Sequence, residues 1–173
     1  PPPPRAPFYP ATPLPVLHDA FRTLQRGKPW FDNWQDPNSG TYWASCALPK
    51  RAQALLQVAL QRRRLSAELS ADPGAAAAAF LLPPRWSAHV DPGTRRTFYC
   101  LAGARGHQTI VQQWEHPASQ PAVGCHHKHA KAARWDAALA ACFFLDQVGL
   151  LEGGGAGAAG SGSRRAQAGR SGG

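Results

Sequence analysis

Apolar residues recur at helical spacing in three stretches of the chain. Val16, Leu17, Ala20, Phe21 and Leu24 share one face of a short helix over 16–26, which Gly27 ends. Leu55, Leu56, Ala59, Leu60 and Leu69 predict an amphipathic helix over 50–72, stopped at Asp72-Pro73-Gly74. Trp135, Leu139, Cys142, Phe143 and Val148 form the apolar stripe of a third helix over 127–150. The segment 82–118 has a different period. Trp86 opens one strand, Asp91-Pro92-Gly93-Thr94 is turn chemistry, and Arg96-Thr97-Phe98-Tyr99 suits a second strand. Ile110 to Trp114 suits a third, ended by Glu115-His116-Pro117. The expected product is a three-stranded antiparallel meander.

Alternation along a strand gives that meander two unlike faces. Phe98 and Tyr99 are adjacent and point opposite ways. Tyr99 can pack with Trp86 and Pro117 as a miniature core. Phe98 can then pair with Trp114 across an exposed groove. A slot between two aromatic rings fits a proline ring, and a polyproline helix arrives already ordered.

The remainder reads as connection. Residues 1–15 are proline-rich, which predicts a disordered, extended segment without a core. Residues 16–49 combine the first helix with an aromatic, turn-rich stretch. Residues 153–173 are Gly, Ala, Ser and Arg, a composition expected to stay disordered. The fold class expected is therefore a small all-β meander flanked by helices and disordered Pro/Gly/Ala-rich segments.

Composition supports that picture. Gly and Pro contribute 17 residues each of 173, and much of the apolar content is alanine, which buries little area. The net charge of +9 admits nucleic acid or an acidic partner, but arginines are scattered, and a solvated basic linker and tail is the favoured reading. No apolar run reaches membrane-spanning length, so no membrane partner is expected. Four cysteines (Cys46, Cys100, Cys125 and Cys142) are irregularly spaced and give neither a zinc framework nor a disulfide scaffold. Cys125-His126-His127-Lys128-His129 carries metal-binding side chains, but at the spacing of no closed site, so a polar helix start is favoured and no cofactor is expected. With ten acidic residues and no phosphate loop or nucleophile elbow, an enzyme is not expected. The chain opens on Pro1 and contains no Met, which reads as a processed product or a fragment.

Residues 82–118 resemble the WW domain family. The resemblance rests on Leu82-Pro83-x-x-Trp86, Asp91-Pro92-x-Thr94, the pair Phe98-Tyr99, His107-x-Thr109, and Trp114-x-x-Pro117. It implies that Trp86, Tyr99 and Pro117 form the structural buckle. It implies that Phe98 and Trp114 form the proline groove, with His107, Cys100, Ile110 and Gln112 lining it. Two features depart from the family. The second loop is longer by roughly Leu101 to Arg105, and Gln112 stands where the family carries a hydrogen-bonding threonine. Residues 30–43 echo the motif, with Trp30, a turn at Asp36-Pro37-Asn38-Ser39-Gly40, and Tyr42-Trp43. A degenerate first WW-like repeat is one reading, and an aromatic loop packed on the following helix is the favoured one. Pro1 to Arg5 and Thr12 to Pro15 resemble ligands of such modules.

The function expected is a nuclear or cytoplasmic interaction module for proline-rich segments of other proteins. The neighbouring Arg95-Arg96 suits phosphorylated Ser-Pro or Thr-Pro ligands. The alternatives are a basic adaptor associated with nucleic acid or RNA processing, or a fragment of an enzyme whose catalytic domain lies elsewhere.

Overall fold

The computed structural model describes residues 10–25, 27–68, 82–103, 109–126 and 128–151. Its elements are α1 (Pro13–Gln25), β1 (Phe31–Gln35), β2 (Tyr42–Cys46), α2 (Lys50–Glu68), β3 (Trp86–Val90), β4 (Thr97–Ala102), β5 (Thr109–Gln113), a 3₁₀ turn (Pro117–Ser119), β6 (Ala122–His126) and α3 (Ala130–Gln147). The strands form two separate antiparallel sheets, β1-β2-β6 and β3-β4-β5. This corrects the expected fold class. The three-stranded meander is present, but as one of two sheets in a mixed α/β chain whose main core lies elsewhere.

That main core forms where α3 covers one face of the β1-β2-β6 sheet and α1 and α2 pack against α3. Leu17 and Phe21 of α1, Ala44 and Cys46 of β2, Ala122 of β6, and Cys142, Phe144 and Leu145 of α3 are buried together. The third helix approaches β6 closely because Gly124 has no side chain. A Cβ there would lie 2.1 Å from the Ala137 nitrogen and 2.3 Å from the Ala133 oxygen. Only small residues fit the facing stripe, and Ala133, Ala137 and Ala140 occupy it. Trp135, expected in the apolar stripe, is therefore rotated outward and is 39 % exposed. The helix closes at Gly149 (φ +72°), where the Leu150 amide donates to the Leu145 carbonyl and the Gly149 amide to that of Asp146. These are the two bonds of a Schellman cap.

Two further expectations change. Residues 13–15, read as the end of an extended proline segment, form the first turn of α1, and Pro13 is fully buried. Proline suits that turn because its missing amide would have had no intrahelical partner. Residues 30–49 are neither a loop on the helix nor a self-contained repeat. They form the hairpin β1-β2, and β6, which follows the meander in sequence, completes its sheet through Cys46↔Ala122 and Tyr42↔His126. No helix among the described residues is long and apolar enough to cross a membrane. Residues 1–9 and 152–173 lie outside the described residues.

Candidate functional site

Asp91 builds the turn between β3 and β4. Its carboxylate accepts from the Thr94 amide (2.8 Å) and hydroxyl, and its own amide donates to Arg96. These bonds hold the Asp91 carboxyl below its ordinary value, the Thr94 hydroxyl contributing most. The turn fixes the register Ala88↔Tyr99 and His89↔Phe98, and β5 adds Tyr99↔Gln113 and Cys100↔Gln112.

This register sorts the expected residues. Phe98, Cys100 and Gln112 share one face, with Ser87 and His89 of β3 beside them. The Phe98 ring meets Trp114 edge-on, at 5.8 Å between centroids and 66° between planes. Trp114 is 49 % exposed. Ile110 is partly buried and Gln112 exposed. Cys100 is buried, so it forms the floor of this face rather than a wall of a groove. His107 lies outside the described residues.

Two residues absent from the expected lining occupy it. His89 stacks on Phe98 at 5.4 Å, and its Nε2 lies 2.9 Å from the Ser87 hydroxyl. The Arg96 guanidinium sits over the Trp114 ring at 5.0 Å. The aromatic pair thus has a cation on one ring and an imidazole on the other. His89 stands opposite Phe98 because the loop runs from Asp91 to Arg96, two residues longer than the turn chemistry of Asp91–Thr94 alone sets.

The opposite face carries Trp86, Tyr99, Leu101 and Val111, with Trp86 across from Leu101. Pro117 is buried at the start of the 3₁₀ turn. Tyr99 packs edge-on against His116 at 4.9 Å. Trp86 is only half-buried. Trp86 and Tyr99 of the expected buckle share this side, and His116 is the ring that closes on Tyr99.

Leu101 and Ala102 correct the expected loop. They are the last residues of β4, and Leu101 is 2 % exposed. Leu101 lines a small cavity with Pro84, Arg85, Gly124, Asp136 and Leu139, where the meander meets the α/β core. Excising Leu101 to Arg105 as a dispensable insertion would remove that anchor. Arg85 is the other anchor. It takes a left-handed backbone (φ +69°), and its guanidinium donates to the Ala102 carbonyl twice (2.7 and 3.0 Å) and to the Cys125 carbonyl (3.1 Å). It also pairs with the Asp136 carboxylate of α3. Burial pushes the Asp136 carboxyl above its ordinary value, and the Arg85 charge offsets only part of that rise.

A second polar surface lies at the start of α3. Lys128, His129, Lys131 and Arg134 are exposed there, the first turn holds no acid, and His126 stacks on His129 at 5.8 Å. No group of three metal-ligating side chains occurs among the described residues, and His127 lies outside them. Comparison of the chain with protein-family models, with curated proteins and with solved structures found no match.

Proposed function

We propose that the protein is nuclear or cytoplasmic and that its β3-β4-β5 meander is a non-enzymatic interaction module that binds proline-rich segments of other proteins. The observation that carries this reading is the corner formed by Phe98 and Trp114, with Trp114 half exposed at its outer wall. Proline rings pack against such walls, and the resemblance of residues 82–118 to WW domains points the same way. Arg96 over the Trp114 ring, with exposed Arg95 next to it in the chain, adds cationic donors, which favours ligands phosphorylated at Ser-Pro or Thr-Pro. Arg96 must leave the Trp114 ring or share it when a proline docks. A phosphate beside Arg96 rewards that movement.

The test is peptide titration of the full chain and its Trp114→Ala variant. We expect parent binding in the micromolar range, strengthened by phosphorylation, and a loss of about 1–3 kcal/mol in the variant with the melting temperature nearly unchanged. Equal peptide binding by both proteins would refute the groove.

A second reading rests on the basic start of α3. Lys128, Lys131 and Arg134 present charge beside a helix N-terminus, an arrangement suited to nucleic-acid phosphates. It predicts affinity for RNA or DNA that falls steeply with salt and is insensitive to Trp114→Ala.

A further inference from the structure

The β1-β2-β6 sheet covers only one face with helices. Its other face carries Asp32, Trp34, Trp43 and Ser45, at the registered pairs Asp32↔Ser45 and Trp34↔Trp43. The two indoles lie parallel, 7° apart in plane with centroids 6.1 Å apart. Trp34 is 47 % exposed, and Trp30, at the head of β1, is 72 % exposed. Three tryptophans along one hairpin are a large apolar surface to leave in water, and the packing of the core does not require it.

The polar atoms of this surface narrow the ligand class. The Trp30 indole N–H donates to the Asp32 carboxylate at 3.0 Å. The indole N–H groups of Trp34 and Trp43 have no partner among the described residues. Asp32 has no cationic partner among the described residues, nor has Asp36 in the adjoining turn. Asp36 is held below its ordinary value by the Ser39 hydroxyl and the Asn38 amide, so it stays charged. A chain with net charge +9 and only ten acids thus places two unpaired carboxylates beside its aromatic surface. Those charges repel nucleic-acid phosphate and attract a cation. The free indole N–H groups call for a ligand rich in acceptors, and polyproline offers carbonyls without competing amides.

We propose that Trp30, Trp34 and Trp43 form a second docking surface, for a proline-rich segment carrying arginine and supplied by another protein. Proline rings lie on the Trp34–Trp43 pair, backbone carbonyls accept from the two indoles, and an arginine pairs with Asp32 or Asp36. The surface is independent of the Phe98–Trp114 corner and stands whether or not that corner binds.

The experiment uses the full chain carrying Trp114→Ala, which silences the first groove, and a fluorescein-labelled Pro4-Arg-Pro4-Arg peptide read by anisotropy. Saturable binding is expected in this background. Adding Trp34→Ala should weaken it at least tenfold, and Asp32→Asn about threefold. Replacing the peptide arginines by glutamate should weaken it at least tenfold. Far-UV circular dichroism checks folding, and Asp32→Asn decides the matter if Trp34→Ala fails to fold. Absence of saturable binding in the Trp114→Ala background overturns the proposal, as does indifference to both substitutions. Trp34-dependent binding of oligouridine without peptide binding would overturn it in favour of a base-stacking platform.

Discussion

The two sheets of this chain have the same strand number and the same antiparallel pairing, yet they are held together differently. The meander β3-β4-β5 is contiguous in sequence, and the Asp91–Arg96 turn joins its first two strands. Cys100 and Leu101 are its only buried apolar side chains among the described strand residues. The sheet β1-β2-β6 draws its third strand from beyond the meander and is backed by α3, with α1 behind it, over a continuous core. One sheet is specified by contiguous local sequence and leans on a neighbour, whereas the other is specified by what covers it. A local β-pattern can thus identify strands without identifying where stability resides.

The contrast is most severely tested at Gly124. Its missing Cβ would meet helix backbone, which cannot swing aside as a side chain can. Gly124→Ala should cost about 4 kcal/mol or more, because α3 must lift off β6. Thermal melting with circular dichroism should show the helical signal collapsing. A loss below 1 kcal/mol would show that the helix is not seated on this sheet.

Alkaline pH should strike the same region next. Burial pushes the Cys46 and Cys142 thiols to about 12 and that of Cys125 to about 11, against an ordinary value of 9.0. The folded pKa is raised, so the folded state keeps protons that the unfolded chain releases. Stability is full below pH 9 and falls as pH rises from there toward 11–12. With 1.36 kcal/mol per unit for each thiol, the loss at pH 10 is about 4 kcal/mol for the three together. Melting curves at pH 8 and 10 measure it. Cys46→Ala with Cys142→Ala should remove about two thirds of the pH slope, although the double variant is less stable at both values.

Arg85→Leu tests the meander's dependence. It leaves Asp136 without its cation and removes the bonds to Ala102 and Cys125. We expect a cost of about 3 kcal/mol. Hydrogen exchange should rise in β3-β4-β5 more than in α3. Uniform loss of protection would mean that the two sheets unfold as one unit.

The meander was legible because its information is local. Asp91-Pro92-Gly93-Thr94 sets the turn, and Phe98 and Tyr99 alternate within a few residues of it. The three helices were legible from their periods, although Trp135 was assigned to the wrong side. Helical spacing cannot reveal that an alanine stripe is demanded by a glycine on another element. Ala122–His126 gave no strand signal, being short and poor in β-branched residues. The hairpin β1 carries Asp32, Asn33 and Gln35 on strand positions, which read as turn chemistry. Of the candidate site, the pairing of Phe98 with Trp114 was readable. The covering of Trp114 by Arg96 was not, since it depends on side-chain placement rather than pattern. Gly124 was the overlooked clue, for a lone glycine between apolar neighbours often marks backbone approaching backbone.

The position of β6 also has a consequence in time. Ribosomal synthesis delivers Tyr42–Cys46 well before Ala122–His126, the strand that pairs with it. The interval from Cys46 to Ala122 is 76 residues (122 − 46), or roughly 4–15 s at about 5–20 residues per second. Throughout that interval β2 has a partner on one side only. The meander, complete by Gln113, needs nothing that follows to form its ladder. The nascent chain therefore carries a finished small sheet while its larger core waits with an open edge, the kind of edge to which other chains adhere.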